Sequence, residues 1–151
     1  MPLIFRRATE TDLPAIIAML ADDELGRQRE DTSVPVADCY RDAFKAISMD
    51  KNQYLAVAEK NGDVIGTLQL TFLPGLSHQG LWRGQIESVR ISSTARGGGL
   101  GRQFLEWAIA TCQEHGCRII QLTSDKSRSD AIRFYESLGF TASHEGFKLK
   151  L

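Results

Sequence analysis

The sequence has little of the features that define several large classes of protein. Its longest apolar run is far shorter than the ~20 residues that a membrane-spanning helix needs. Its first residues lack the apolar core and the small-residue cleavage site of a signal peptide. The 18 basic and 19 acidic residues give a net charge of −1, which provides no electrostatic reason to expect nucleic acid or an anionic membrane as the main partner. We therefore expect a cytoplasmic protein.

Cysteine and histidine are also scarce. The three cysteines, Cys39, Cys112 and Cys117, are odd in number and form no C-x-x-C pair. The three histidines are scattered and make no cluster with metal-ligand spacing, so no metal is expected. Cys112 and Cys117 lie near a predicted helix end and the next strand, where we expect them to be buried as small apolar side chains.

The chain is long enough to form one domain with a core of its own. It has 151 residues, of which 42% are hydrophobic and 25% charged. No internal repeat, linker or low-complexity tract divides it. We therefore predict a single domain over residues 1–151.

Apolar periodicity and turn signals predict alternating strands and helices. Strands are predicted at residues 3–7, 53–60 and 64–73, in a segment that ends at 91, at 118–123, and as two short strands within 140–151 hinged at 145–146. Helices are predicted after 9–12, at 36–49, from the glycine-rich segment to 115, and at 129–138, while 22–35 reads as a loop. The order βααβββαβαββ predicts an α/β or α+β sandwich on a mixed sheet.

The most informative segment is glycine-rich and runs from Arg96 to Arg102. It follows an alternating apolar run at 86–91 and opens an amphipathic stretch at 104–115, which is the pattern of strand, tight turn and helix. Such a turn points unpaired backbone N–H groups and the positive end of a helix dipole at one place, which favours an anion. The flanking arginines suit a phosphate or diphosphate. The alternative is a glycine-rich surface loop without a ligand, although four glycines within five residues cost backbone entropy.

Spacing narrows the choice of phosphate ligand. No Lys-Ser or Lys-Thr follows the glycines, as a Walker loop requires, and the G-x-G-x-x-G spacing of a dinucleotide turn is not met. What is present is R-x-x-G-x-G at residues 96–101, which resembles motif A of the GNAT superfamily of acetyl-CoA-dependent N-acetyltransferases. About 35 residues further on, residues 131–140 (AIRFYESLGF) resemble the A-x-x-x-Y-E-x-x-G-F signature of the same family.

This resemblance covers nearly the whole chain and is weakest between residues 22 and 49. It implies a single-domain fold with a mixed, mostly antiparallel sheet and helices on both faces. It also implies acetyl-CoA as co-substrate, a diphosphate held by backbone amides of the glycine loop, and a pantetheine arm paired with the preceding strand. The implied cofactor-binding residues are Val89, Arg90, Ile91, Arg96, Gly97, Gly98, Gly99, Leu100, Gly101 and Arg102. Leu100 would turn inward under the helix.

Glu87 is the candidate general base, acting directly or through a water molecule. It lies on the strand before the glycine loop, where family members often place a base. Strict alternation would put Glu87, Val89 and Ile91 on one face, and a lone carboxylate among apolar neighbours has a raised pKa. The alternative is a strand-end carboxylate paired with Arg83 or Arg90. The backbone N–H of Val89 is the candidate donor to the oxyanion.

Tyr135 is the candidate general acid that protonates the departing thiolate. The match to the Y-E-x-x-G-F signature places it where the family has its acid. The alternative is a half-buried aromatic residue on the last helix. Gly139 is predicted to end that helix in the left-handed conformation.

Arg128 and Ser129 are further cofactor candidates. Many family members carry asparagine where this sequence has Arg128, inside a basic and hydroxylic cluster at residues 123–130. The cluster could reach the CoA phosphates. The alternative is a solvated turn in which Ser129 caps the next helix.

The acceptor is expected to be a small-molecule amine bound by the least recognisable segments, at residues 22–24, 27–31 and 73–82. Arginines in or next to these segments allow an acceptor that carries a carboxylate or a phosphate: Arg27, Arg29, Arg83. The alternatives are a protein N-terminal or lysine acetyltransferase, a non-catalytic acyl-CoA-binding module, and a structural or interaction protein. Because dimers are common in the family that the chain resembles, a homodimer is expected.

Overall fold

The computed structural model describes residues 2–151. It divides into a first unit, which ends at Gln121, and a second unit, Leu122–Leu151. The strands are β1 (Leu3–Arg7), β2 (Gln53–Lys60), β3 (Asp63–Leu73), β4 (Trp82–Ile91) and β5 (Cys117–Leu122). The helices are α1 (Leu13–Ala21), α2 (Glu24–Arg29), α3 (Asp38–Met49), the short α4 (Ser77–Gly80), α5 (Leu100–Glu114) and α6 (Ser129–Ser137).

The five strands form one sheet in the order β1-β2-β3-β4-β5. Each pair from β1 to β4 is antiparallel. The β2–β3 hairpin turns at Asn61 and Gly62, whose φ angles of 55° and 83° are both left-handed, as the favoured two-residue hairpin turn requires. The predicted hairpin and the predicted mixed α/β class are confirmed.

Helices cover both faces of the sheet. On one face the ring of Phe5 in β1 stacks on that of Phe104 in α5, with centroids 5.0 Å apart. The next residue, Arg6, pairs with Asp12, which directly precedes α1. Because neighbouring residues of a strand point to opposite faces, α5 and the start of α1 lie on opposite sides of β1. The apolar residues with no exposed surface are Ala56, Val57, Ala58, Leu68, Leu70, Phe104, Leu105, Ala108 and Cys112.

Asp12 is a buried carboxylate that ties β1 to the start of α1. Its two oxygens accept hydrogen bonds from the guanidinium of Arg6, at 2.8 and 3.1 Å, and Oδ2 also accepts from the backbone N–H of Thr9 at 2.7 Å. Arg6 donates as well to Glu59 on β2, at 2.8 Å. The hydrogen bond from Arg6 is the main cause that lowers the pKa of Asp12 below its usual value.

Cys112 and Cys117 are buried, as predicted, and Cys39 is exposed. Cys112 lies where α5 approaches β4, since a Cβ on Gly84 would come within 2.5 Å of its Sγ. Burial raises the pKa of the Cys112 thiol to about 12, so this thiol stays protonated.

The sequence predicts a loop at residues 22–35, but the structure has a short helix within this segment. The carboxylate of Asp23 accepts a hydrogen bond from the backbone N–H of Gly26 at 2.6 Å, and this cap begins the six-residue helix α2. Six residues are too few to show helical periodicity in the sequence, which is why polarity alone suggested a loop there.

The two strands predicted within residues 140–151 are absent from the structure of residues 2–151. The segment has no regular secondary structure, although apolar and lysine residues alternate along it as in a strand. Phe147, Leu149 and Leu151 are 94%, 86% and 116% exposed. Alternation predicts a strand only where a neighbouring edge provides hydrogen-bond partners, and this segment has no such ladder.

No helix within residues 2–151 is both long enough and apolar enough to cross a membrane.

Candidate active site

Strand β4 is interrupted by a β-bulge next to the candidate base. Gln69 of β3 pairs with Glu87, but Thr67 pairs with Arg90, so Ser88 and Val89 together lie opposite a single β3 residue. Ser88 has a left-handed φ of 56°. A bulge leaves part of the backbone outside the ladder, which makes polar main-chain groups available at this point of the strand.

The bulge corrects the predicted arrangement of Glu87. Directly paired residues share a face, so Glu87 and Arg90 lie on the same face as Gln69 and Thr67. Ile91 is therefore on the opposite face from Glu87, whereas strict alternation had placed the two together. Glu87 is exposed and does not lie among apolar neighbours, while Val89 and Ile91 are half-buried.

The chain leaves β4 through a short turn that is tied back to the sheet. The backbone N–H of Ser92 donates to the carbonyl oxygen of Ile65 at 2.8 Å. Nε of Arg96 donates to the carbonyl oxygen of Ile91 at 3.1 Å, and Nη2 of Arg96 lies 3.6 Å from Oδ2 of Asp22. The first residue of the glycine loop is thus fixed to the end of β4 and to the segment between α1 and α2.

The glycine loop opens α5 as predicted. Gly97 and Gly99 have φ angles of 88° and 78°, a conformation that favours glycine, and a Cβ on Gly97, Gly98 or Gly99 would meet nothing within 4 Å. Gly99 precedes Leu100 as the N-cap and makes no side-chain cap, so no N-cap side chain occupies the first-turn N–H groups of a 15-residue helix. Leu100 is buried, as expected, and Gly101 and Arg102 complete the first turn, with Arg102 lying 3.6 Å from Glu106. This arrangement suits an anion.

The side chain of Arg90 lies between the bulge and α2. Its Nη1 donates to the carbonyl oxygen of Val89 at 2.9 Å, and its Nη2 lies 3.5 Å from Oδ2 of Asp23. The sequence does not predict this contact between Arg90 and Asp23. The one available signal was Asp23 directly before the α2 segment, since aspartate is a preferred N-cap residue.

A cleft of about 420 Å³ opens on the first unit beside the end of α1. Its polar lining consists of Asp22, Arg27, Thr32 and Ser92. Arg27 is also 3.3 Å from Glu24, in an exposed pair on α2. The cleft thus combines side chains of both charges with two hydroxyl groups next to the β4 end.

The second unit contains the remaining predicted site residues. Tyr135 is half-buried on α6, with ring centroids 5.4 Å from Phe134 and 6.0 Å from Phe140. Gly139 has a φ of 97°, and the N–H of Phe140 donates to the carbonyl oxygen of Tyr135 at 3.2 Å, so the predicted glycine helix stop is confirmed.

Ser129 does not cap α6, so the alternative in which it caps this helix from a solvated turn is wrong. It is the first helical residue, and the N-cap position belongs to Arg128, which makes no side-chain cap. Asp125 instead organises the preceding turn, because its Oδ1 accepts from the N–H and the hydroxyl of Ser127 at 2.9 and 2.6 Å.

No group of three or more His, Cys, Asp or Glu side chains within residues 2–151 is arranged to hold a metal ion. The arrangement within the first unit is a helix start without a side-chain cap, which follows a bulged strand that carries an exposed carboxylate.

Comparison with known proteins decides which family has this arrangement. The model of the acetyltransferase (GNAT) family matches residues 19–140, which include both sequence motifs. The chain belongs to the GNAT family.

Two curated relatives of this GNAT chain are N-acetyltransferases. Aminoalkylphosphonate N-acetyltransferase of Salmonella typhimurium is 31% identical over 145 residues, which cover 94% of this chain and 87% of that protein. Glucosamine 6-phosphate N-acetyltransferase of Trypanosoma brucei brucei is 31% identical over 94 residues, which cover 62% and 61% of the two chains.

A solved structure matches this GNAT chain over almost all of its length. The crystal structure of a transcriptional regulator from Bacillus halodurans C-125 has a TM-score of 0.96 and 52% sequence identity. The match covers 99% of this chain and 100% of that chain.

Proposed function

We propose that this protein transfers the acetyl group of acetyl-CoA to the primary amine of a small molecule, by direct attack of the amine on the thioester. The observation that carries the proposal is the glycine-started, uncapped N-terminus of α5 directly after a bulged strand, in a chain of the GNAT family. Acetyl-CoA has a diphosphate that suits the N-terminus of α5 and a pantetheine arm that suits the bulged strand β4.

The first unit provides most of the proposed cofactor contacts. Backbone N–H groups of residues 96–102 hold the diphosphate, and the main chain of Val89, Arg90 and Ile91 pairs with the pantetheine amides. Arg128 and Ser129 contribute contacts to the CoA phosphates. No metal takes part.

Proton transfers define the proposed chemistry. Glu87, directly or through a water molecule, removes a proton from the ammonium, and the neutral nitrogen then attacks the carbonyl carbon of the thioester. The N–H of Val89 donates to the oxyanion of the tetrahedral intermediate. When the C–S bond breaks, Tyr135 gives its phenolic proton to the thiolate, which leaves as CoA. The attacking nitrogen releases its surplus proton to solvent as the amide forms, the phenolate is reprotonated from solvent, and Glu87 returns its proton there.

The exposed position of Glu87 supports its role as a base for a substrate that enters from solvent. Glu87 shares a face of the sheet with Arg90, which contacts Asp23 at the start of α2. Since that face is the one toward the α1–α2 segment, we place the acceptor there.

The acceptor is proposed to carry a phosphonate or phosphate in addition to its amine. Two of the curated relatives are named for such compounds, an aminoalkylphosphonate and glucosamine 6-phosphate. In this chain Arg27, with the hydroxyls of Thr32 and Ser92, lines the cleft beside α1 and offers donors that suit a phosphorus oxyanion. We expect a cytoplasmic homodimer, and light scattering after size exclusion measures the number of subunits.

Binding and turnover together test the proposal. Acetyl-CoA should raise the melting temperature, as a ligand selective for the folded state must. CoA release is then followed with a panel of primary amines, in which each phosphonate or phosphate is paired with the same amine lacking that group, and the charged member should react faster. No thermal shift at saturating acetyl-CoA, or no CoA release with any amine, would contradict the proposal.

A Tyr135→Phe variant tests the proposed acid. The loss of the phenolic proton should lower kcat by about 100-fold while acetyl-CoA affinity changes little. Tyr54→Phe is the matched control, because it removes a hydroxyl from a tyrosine that lies against Trp107 and Arg7. Equal losses of kcat and of acetyl-CoA affinity in Tyr135→Phe would make Tyr135 a packing residue.

The Bacillus halodurans relative, a transcriptional regulator, favours gene regulation as a second candidate function. A net charge of −1 gives this chain no overall attraction to a phosphate backbone, and acetyl transfer is therefore preferred. Fluorescence anisotropy with labelled duplex DNA separates the two. Salt-dependent DNA binding without amine acetylation would replace the first candidate with the second.

A further inference from the structure

Arg90 connects the bulge of β4 to the start of α2 through two contacts. Its Nη1 donates to the carbonyl oxygen of Val89 at 2.9 Å, and its Nη2 is 3.5 Å from Oδ2 of Asp23. The other oxygen of Asp23, Oδ1, accepts from the N–H of Gly26 at 2.6 Å and thereby caps α2. The side chain of Arg90 is only 12% exposed, so these contacts are made largely away from solvent.

The Val89 backbone lies outside the register that joins β4 to β3. Neither Ser88 nor Val89 has a partner in the register with β3, and Ser88 is in the left-handed region. A hydrogen bond to the carbonyl oxygen of Val89 therefore fixes a torsion that the ladder leaves open. The same residue supplies the N–H proposed as donor to the oxyanion.

Arginine suits this position because its guanidinium is planar and carries several donors in fixed directions. The two terminal nitrogens of one guanidinium can donate to a carbonyl oxygen and lie against a carboxylate at the same time. A lysine ammonium on its flexible side chain does not reproduce this geometry. The aspartate, in turn, is held by its own hydrogen bond at the start of α2. The orientation of the Val89 backbone is thus linked, residue by residue, to the helix on the proposed acceptor side.

We propose that Arg90, oriented by Asp23, is a positioning residue for acyl transfer, which acts by fixing the Val89 backbone beside the reacting thioester. This inference rests on the proposed acetyltransferase function. The side chain of Arg90 is engaged with Val89 and Asp23, so its part in the site is carried through the main chain and not by contact with the cofactor diphosphate.

Two conservative variants test the inference. Arg90→Lys keeps the charge and loses the fork, while Asp23→Asn keeps an oxygen that can cap α2 and loses the charge that faces Arg90. In each, kcat at saturating acetyl-CoA should fall about 10- to 100-fold, because a small displacement of a group at the reacting centre is costly. The KM for acetyl-CoA and the melting temperature should stay close to the wild-type values.

The matched controls are Arg41→Lys and Asp38→Asn, which make the same chemical changes in an ion pair on α3. Both should leave kcat unchanged. Because Arg90 and Asp23 act on the same group, their effects on kcat should not multiply. The double variant should have about the same kcat as the more impaired of the two single variants.

The outcomes separate this inference from the function on which it rests. If the wild-type protein releases no CoA with any amine, the proposed function fails. If the wild type turns over and the variants keep its kcat, only the positioning role is overturned. A parallel fall of kcat and melting temperature in both variants, or failure of both to fold, would likewise overturn it and make the pair a structural contact.

Discussion

Asp12 is a buried residue whose charged form is stabilised by hydrogen bonds. It is 7% exposed, it accepts two hydrogen bonds from Arg6 and one from the Thr9 backbone, and its pKa is lowered chiefly by the bond to Arg6. A carboxyl group whose pKa is lower in the folded than in the unfolded state stabilises the fold at any pH above the unfolded value. That stabilisation is lost as the pH falls through the folded pKa.

An Asp12→Asn variant should therefore be less stable than the wild type by about 1–3 kcal/mol near neutral pH, since a buried charge-assisted bond is lost. The difference should be complete above the unfolded aspartate pKa of about 4 and should shrink below it. Urea unfolding of both proteins at pH 7 and pH 3 measures the two differences. A difference that is equal at both pH values would show that packing, and not the charge of Asp12, is responsible.

At the scale of elements, the start of α5 provides the sharpest test of the glycine loop. Gly99 has a φ of 78° and open space around it, so a valine there costs backbone strain without a clash. Gly99→Val should abolish the acetyl-CoA thermal shift while the protein stays folded. Gly116, with a φ of 85° and equally open space, follows α5 at its other end and is the matched control.

Gly116→Val should lower the melting temperature by a similar amount and keep the full acetyl-CoA shift. Differential scanning fluorimetry of the two variants, with and without acetyl-CoA, makes the comparison directly. A full shift in Gly99→Val would remove the loop from the binding site. Loss of the shift in both variants would assign the effect to general destabilisation of α5.

The elements that the sequence predicted best are those with a local physical signal. Asn61 and Gly62 specify their own turn, Gly139 ends α6, and the glycines from Gly97 onward open α5. These signals depend on neighbours in sequence, and a single chain contains them. The family resemblance was likewise carried by local motifs, and the family match confirms it.

What the sequence could not provide depends on pairing across the sheet. Glu87 and Ile91 lie on opposite faces because of a bulge, in which two residues of β4 lie opposite one residue of β3. The sequence of either strand by itself does not predict this extra residue. The contact between Arg90 and Asp23 joins positions 67 residues apart, for which no spacing rule exists. Helix α2 was missed because its six residues are too short for a periodic signal.

At the scale of the whole molecule, the end of the second unit differs from the rest in its exposure. Residues 139–151 form no helix or strand, and three large apolar side chains are almost fully exposed: Phe147, Leu149 and Leu151. Segments without backbone hydrogen bonds to the fold are where proteases cut first.

Limited trypsin digestion should therefore cleave first after the exposed lysines of the second unit, Lys126, Lys148 and Lys150. Basic residues within the paired strands β1–β4 should be cleaved much later, because their backbone is held in the ladder. Mass spectrometry of early time points identifies the sites. Early cleavage inside β1–β4 would contradict the expectation that proteases reach the second unit first.

The two oxygens of Asp23 have a consequence for protein engineering. Segments on the acceptor side of an enzyme are the natural ones to exchange when a new substrate is wanted, and residues 22–35 lie on the proposed acceptor side. One carboxylate in that segment both starts α2 and faces Arg90. With Arg90 in the proposed positioning role, a chimera that imports this segment from a relative must bring an aspartate to position 23 in order to keep its rate.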